Sequence, residues 1–322
     1  LAAEYGRWNG EAFYENLWQT NNVGTKHILR LQEKLGFRHI FFSSAEVYGD
    51  YEGVMTEDVM VNNKISDTYQ MNDYAISKWA GEQQCLNSTA MFDSEIVRVR
   101  PLNCYGPHEH FTPYRGFIPK FIYHALNDKP YTVFKGHKRI IDYVEDSCVT
   151  FANIVDNFIP GEVYNVGGRP EWEMDIKQYS DLVLKATGKN DKLVNYEAAE
   201  PFTTKIKTVD FTKAIKDLNH NPIIAPDEGI KRTVKWMKKN YNSPPRVMPS
   251  AWAGGWRRHM EERETTTGQR ILGRAEMPAL RSCAPSAWAT HPTHMEIDAE
   301  AAKLKVYCKT HRQILSPLFF AK

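Results

Sequence analysis

The sequence predicts an α/β protein with a parallel, doubly wound sheet. Three observations carry that expectation. Short apolar strands alternate with amphipathic helices along residues 11–240. The serines Ser43 and Ser44 follow the apolar run Phe37-Arg38-His39-Ile40-Phe41-Phe42, which puts them at the carboxyl end of a strand, where open α/β sheets place their chemistry. Tyr74 and Lys78 are four apart in the next long helix, so both project from one face. A phenol titrates near pH 10, too high for a base at neutral pH, and a neighbouring ammonium favours the phenolate. The expectation is therefore a Tyr74 base whose pKa is lowered by Lys78.

Each element has a local cause. Residues 11–35 carry an intermittent apolar face (Phe13, Leu17, Val23, Ile28, Leu31) and end at Gly36, a residue suited to a helix C-terminus. Residues 38–43 form the first strand, read as buried. A polar loop fills 50–67, and the helix bearing Tyr74 spans 69–91. Residues 95–100 form a strand ended by Pro101. Helices follow at 116–127, 146–157, 175–187 and 227–240, and strands at 131–134 and 162–166, the last closed by the turn Gly167-Gly168.

At 322 residues the chain can bury a sizeable core. Its formal net charge of +2 gives no reason to expect nucleic acid or an anionic membrane as partner, and no apolar run is long enough to span a bilayer. The opening Leu1-Ala2-Ala3-Glu4-Tyr5 lacks the basic and apolar regions of a signal peptide. The cysteines (Cys85, Cys104, Cys148, Cys283, Cys308) are odd in number and without metal-ligand spacing, which suits buried thiols in a reducing cytoplasm. No metal site is expected. From Asn242 the pattern loses its period: Ser243-Pro244-Pro245 breaks the last helix, Trp252 to Arg258 is a basic aromatic stretch, and only 297–306 reads as helical. His291 and His294 lack partnering ligands and read as a solvated loop.

The motifs, in order, resemble those of the extended short-chain dehydrogenase/reductases, the NAD-dependent nucleotide-sugar epimerases and dehydratases. Leu1-Ala2-Ala3 is similar to the end of that family's His-Leu-Ala-Ala strand, and Thr20-Asn21-Asn22-Val23-Gly24-Thr25 to its Asn-Val-x-Gly-Thr helix. Ser43 to Asp50, Tyr74 to Lys78, Arg100 to Pro107, Arg139 with Asp142 to Asp146, and Gly161 to Gly168 continue the match. The resemblance implies an incomplete Rossmann-like fold: residues 1–168 as a partial NAD-binding domain (108–135 contributing to a substrate domain), 169–241 as a smaller substrate domain, and 242–322 as an irregular tail. No Gly-x-x-Gly-x-x-Gly turn occurs in the 322 residues. The expectation is therefore an amino-terminally truncated enzyme, with NAD binding by this polypeptide the property to test.

The same resemblance implies the roles. Tyr74 takes a proton from the sugar 4-hydroxyl as hydride passes from C4 to the nicotinamide, Lys78 holds the nicotinamide ribose, and Ser44 hydrogen-bonds the reacting oxygen. Ala3, Asn21, Ser43 and Pro101 border the cofactor; Asn103 and Arg139 meet the nucleotide diphosphate, although Arg139 is also open to a surface ion pair. Glu46 is the position of the base that removes the C5 proton in dehydratases, and it is also open to a capping role. Ala45 beside it can neither donate nor accept a proton, which leans the reading slightly toward 4-epimerisation. His108, His110 and Arg115 fall in a loop that selects substrates in the family. A nucleotide-diphosphate sugar is the expected substrate and a homodimer, paired through the helices at 11–35 and 69–91, the expected assembly. The alternatives are a catalytically inactive homologue that binds a nucleotide sugar or a partner subunit, and a simple reductase.

Overall fold

The computed structural model describes residues 3–62, 67–200 and 203–241, all within one compact unit, Leu1–Met248. The readings made for Leu1-Ala2, the Trp252–Arg258 stretch, His291, His294, the 297–306 helix, Cys283 and Cys308 lie outside the described residues.

The chain opens with α1 (Arg7–Ala12) and α2 (Tyr14–Trp18), passes through a π-helical turn at Gln19–Val23, and enters α3 (Gly24–Leu35). The single helix expected over 11–35 is thus three pieces, and Gly36 ends the last of them in the left-handed region at φ 66°. Strand β1 (His39–Phe42) leads to a 3-10 turn at Ala45–Tyr48, the short α4 (Val59–Asn62) and the long α5 (Asp73–Phe92). Then come β2 (Ile96–Pro101), β3 (Asn103–Tyr105), α6 (Phe117–Leu126), β4 (Tyr131–Phe134), β5 (Lys138–Arg139), β6 (Ile141–Tyr143) and α7 (Val144–Asp156). The chain continues with β7 (Val163–Val166), β8 (Met174–Asp175), α8 (Ile176–Thr187), β9 (Val194–Glu197), α9 (Thr212–Leu218) and α10 (Pro226–Tyr241).

The central sheet is parallel, in the order β1-β2-β7, as the alternation of strands and helices requires. His39 faces Ile96 and Phe42 faces Val99; Arg98 faces Val163 and Pro101 faces Val166. β2 and β7 are buried, whereas β1, expected to be buried, has only Phe41 fully covered. Pairs β3-β6 and β4-β9 are parallel, and β5-β8 is antiparallel. Strands of two to four residues such as β5, β8 and β9 leave too little alternation to read from sequence.

Two packing relationships position the chemistry. Leu29, Phe41, Cys85 and Ile96 form one cluster that clamps α3 and α5 against β1 and β2, each large side chain worth roughly 1.5–3 kcal/mol on burial. α5 reaches β1 only because Gly81 has no side chain: a Cβ there would stand 2.5 Å from the Phe41 ring. Gly49 closes the turn after the strand-end serines at φ 56°, where a Cβ would meet the Tyr69 carbonyl oxygen at 2.2 Å. A second cluster around Phe121, Ile122, Tyr143, Val183 and Ile230 joins β3, β4 and β6 to α6, α8 and α10. These elements form the far wall of the cleft.

Candidate active site

One row on α5 organises the site. Tyr74, Lys78 and Glu82 stand on successive turns, all buried, and each meets a different atom at the end of β1. The Tyr74 hydroxyl shares a hydrogen bond with Ser44. Lys78 Nζ donates to the Phe42 carbonyl at 2.9 Å, and Ser43 Oγ donates to Glu82 Oε1 at 2.5 Å. The helix starts cleanly because the Asn72 side chain accepts from Ala75 N at 2.9 Å. It is fixed in azimuth by the π turn: Asn21 Nδ2 donates to Ser77 Oγ and Asn22 Nδ2 to the Ser77 carbonyl, both at 3.0 Å.

Tyr74, Lys78, Ser44 and Glu46 all line one cleft of about 1360 Å³, together with Ala3, Asn21, Ser43, Pro101, Asn103 and Arg139. The ten residues singled out from the sequence therefore converge on one cavity. Their side chains are not all free to act in it. Ser43 spends its hydroxyl on Glu82, which also accepts from Arg100 Nε at 2.9 Å and Arg100 Nη2 at 2.8 Å. The pair is buried and continues through Tyr48 to Asn165, so Ser43 belongs to the packing beneath the sheet end. Asn21 is likewise committed: besides Ser77, its amide accepts from Glu4 N at 2.9 Å and donates to the Glu4 carbonyl at 3.0 Å. It ties the opening segment to α5.

Arg139 differs most from its expected role. Its Nη1 donates to the Lys138 and Lys205 carbonyls at 2.7 and 2.8 Å, and Nη2 to the Thr204 carbonyl at 2.6 Å. The fork that suits a diphosphate here clamps the segment 203–205 onto β5. Asn103, in β3, and Pro101, at the end of β2, are half-buried on the cleft wall.

The electrostatics reverse one expectation. Burial is the largest effect on Tyr74 and pushes its phenol above the ordinary range; the Glu46 charge adds to this, and only the Ser44 hydrogen bond opposes it. Lys78 does not lower it in this state, since its ammonium stands 5.9 Å from the Tyr74 ring and is itself driven down to about 8 by burial. The spacing of the two residues held; the direction of the Tyr74 shift did not, because desolvation outweighs a cation that is poorly solvated itself.

Three residues that sequence reasoning passed over also line the cleft: Tyr5, Glu109 and Lys207. Lys207 Nζ forms an ion pair with Glu46, from a segment held to the loop after the 3-10 turn by the bond from Met55 N to the Thr208 carbonyl at 2.8 Å. The Tyr5 ring meets the Tyr74 ring edge-on at 5.6 Å. Nothing in the local patterns around these residues signals the contacts, which span as many as 161 positions along the chain. Among the described residues no cluster could hold a metal ion, and no helix is long and apolar enough to cross a membrane.

Residues 1–167 match the sequence profile of the NAD dependent epimerase/dehydratase family. The chain is 29% identical to the UDP-N-acetyl-alpha-D-glucosaminuronate decarboxylase of Bacillus cytotoxicus, over 70% of this chain and 71% of that protein. It is 26% identical to the dTDP-D-glucose 4,6-dehydratase of Mus musculus, over 69% of this chain and 62% of that protein. The chain thus spans about two thirds of the length of these relatives. The structure superposes on the UDP-glucuronic acid 4-epimerase of Bacillus cereus, crystallised with UDP-glucuronic acid and NAD, with a TM-score of 0.65 at 23% identity, covering 74% of each chain. That likeness establishes the Rossmann-type fold.

Proposed function

The chain belongs to the NAD dependent epimerase/dehydratase family, and from that premise we propose that it oxidises C4 of a nucleotide-diphosphate sugar as the first step of an epimerisation or dehydration. The observation that carries the reading is the Tyr74 hydroxyl, held by Ser44 on the cleft wall with Lys78 one turn below. Its relatives act on UDP- and dTDP-linked sugars, which supports the substrate class.

The residues present fit the nicotinamide-ribose end of NAD. Lys78 has three N–H donors and one hydrogen-bond acceptor among the described residues, the Phe42 carbonyl, so two donors remain to meet a ribose diol. Tyr74, Lys78 and Pro101 would hold that end, with Ala3 and the Asn21-anchored turn bordering it. The bound dinucleotide supplies reversible hydride transfer. Ser44 holds the sugar 4-oxygen, and Tyr74, itself buried, takes its proton. A group with a phenol raised by burial is a poor base alone, so a cation brought next to Tyr74 with the cofactor is part of the working state. Asn103 and the Arg139-clamped segment shape the wall opposite.

Exposed apolar side chains on α3 (Ile28, Leu35) and α5 (Leu86, Met91, Phe92) support pairing of two chains through these helices. Unpaired Cys85, Cys104 and Cys148 support a reducing, cytoplasmic setting.

Titration of the polypeptide with NAD, followed by turnover of UDP- and dTDP-sugars, tests the reading. Formation of a 4-keto or C4-epimerised sugar by the wild-type chain and not by Tyr74→Phe is the expected result. A chain that binds the sugar nucleotide but not NAD would support the inactive alternative.

A further inference from the structure

The opening segment is tied to α5 at the residue that carries the chemistry. Glu4 N donates to Asn21 Oδ1 at 2.9 Å, and Asn21 Nδ2 donates to the Glu4 carbonyl and to Ser77 Oγ, both at 3.0 Å. Ser77 Oγ in turn donates to the Tyr74 carbonyl at 2.8 Å. These bonds fix where the chain beside Glu4 stands relative to Tyr74. The next residue is Tyr5, whose ring meets the Tyr74 ring edge-on, with centres 5.6 Å apart and planes at 71°. The same ring is held by the loop between β3 and α6. The Arg115 guanidinium lies 5.7 Å from its centre. The Tyr5 hydroxyl and Glu109 Oε1 each lie 3.8 Å from the place a Gly116 Cβ would take. Gly6, at φ 96°, lays the opening backbone on this loop: a Cβ there would stand 2.7 Å from the Tyr114 carbonyl oxygen. Tyr5 is 37% exposed and lines the cleft, so it bridges the loop and Tyr74 within the site.

Tyr74 needs such a support. Its backbone is fixed within α5, but the side chain still turns about two bonds, and the Ser44 hydrogen bond holds only its tip. A ring packed edge-on against it restricts both rotations and keeps water from its flank. Among the described residues, the groups that face the Tyr74 phenol are Ser44, Glu46, Lys78 and Tyr5. Burial pushes the Tyr5 phenol above its ordinary value of 10, and the charges of Glu109, Tyr74 and Glu46 add to this against Arg115. Tyr5 therefore keeps its proton at neutral pH and does not compete with Tyr74 for the proton of the substrate.

We propose that Tyr5 is a positioning residue for the proton transfer at C4: its ring sets the Tyr74 phenol against Ser44 and ties that setting to the β3–α6 loop. The inference rests on the C4-oxidation reading. Tyr5 acts only through the ring contact. It neither gives nor takes a proton, and its hydroxyl is not required for the step. Asn21 then has its place as the anchor of the segment that delivers Tyr5, through Glu4 on one side and Ser77 on the other.

The test uses the full chain with NAD and, as probes, UDP-glucose and dTDP-glucose, comparing Tyr5→Phe, Tyr5→Leu and Tyr5→Ala. Tyr5→Ala is expected to lower kcat about 30-fold or more while KM for the sugar nucleotide changes less than about threefold, the mark of a misplaced reacting group. Tyr5→Leu, the smaller perturbation, should show the same loss to a lesser degree, and Tyr5→Phe, which keeps the ring, should stay within about threefold of wild type. The acid limb of the kcat profile should move to lower pH in Tyr5→Ala, because water reaching the Tyr74 phenol relieves its burial. A general loss of packing would slow the reaction without moving that limb. Ultraviolet difference titration of the chain without cofactor gives a readout independent of turnover. At about pH 10.5, Tyr5→Ala should ionise one phenol more than wild type although it has one tyrosine fewer, and the extra phenol should vanish in Tyr5→Ala/Tyr74→Phe. Wild-type kcat in both Tyr5→Leu and Tyr5→Ala, or Tyr5→Phe falling as far as Tyr5→Ala, would overturn the role and leave the C4 reading standing. Wild type that forms no 4-keto or C4-epimerised sugar would remove both.

Discussion

The Lys207 ammonium and the Glu46 carboxylate meet at the cleft although 161 positions separate them in sequence. Lys207 is buried and Glu46 about a third exposed, at 6% and 30% side-chain exposure. The pair therefore joins the segment after β9 to the turn that follows β1, and it gives Glu46 a fixed orientation over the strand-end serines.

Replacing Lys207 with Met should cost about 1–2 kcal/mol, less than for a fully buried pair, because the freed Glu46 retains access to water. The segment it anchors should loosen. Faster hydrogen exchange at the Met55 amide, which is bonded to the Thr208 carbonyl, would register this. Turnover should fall 10- to 100-fold, and an unchanged rate would show that the pair is structural only.

Tyr74→Phe removes one hydroxyl whose hydrogen bond is to Ser44. Stability should fall by about 1 kcal/mol, measured by urea denaturation, since a single hydrogen bond contributes on that scale. Turnover should drop by a factor of roughly 10²–10⁴, the range for loss of a positioned proton acceptor. Binding of the sugar nucleotide should be unaffected by calorimetry.

Lys78 should make stability depend on pH in an alkaline window. Burial lowers its folded pKa from 10.5 to about 8. Between those values the unfolded chain holds the proton and the folded chain does not, so stability rises with pH across the window, and the full cost of burial applies below about 8. Lys78→Met should flatten that rise and stabilise the chain at pH 7 by up to 2–3 kcal/mol, while abolishing turnover. A variant less stable than wild type at pH 7 would refute this account.

Arg100 and Glu82 are 1% and 0% exposed and joined by two hydrogen bonds. Arg100→Met alone should destabilise by about 3–5 kcal/mol, because among the described residues it leaves Glu82 buried with only Arg98, at 3.5 Å, as a cationic partner. Adding Glu82→Leu should recover much of the loss, a comparison read from urea midpoints.

The alternation of apolar strands with amphipathic helices was enough to specify the parallel sheet, and helix spacing alone put Tyr74 and Lys78 on one face with Ser44 at the strand end. These are local facts: a period of 3.6 or 2, a cap, a glycine at a turn. Tertiary structure decided which polar groups are spent and which are free. Ser43 is drawn to Glu82, Asn21 to the Glu4 backbone and Ser77, and Arg139 to the carbonyls of residues 203–205, because a buried donor takes the nearest acceptor whatever its position in the chain. It also brought Tyr5, Glu109 and Lys207 to the cleft from distant segments, and it set the Tyr74 phenol by burial, a quantity that exists only once the chain has closed around it.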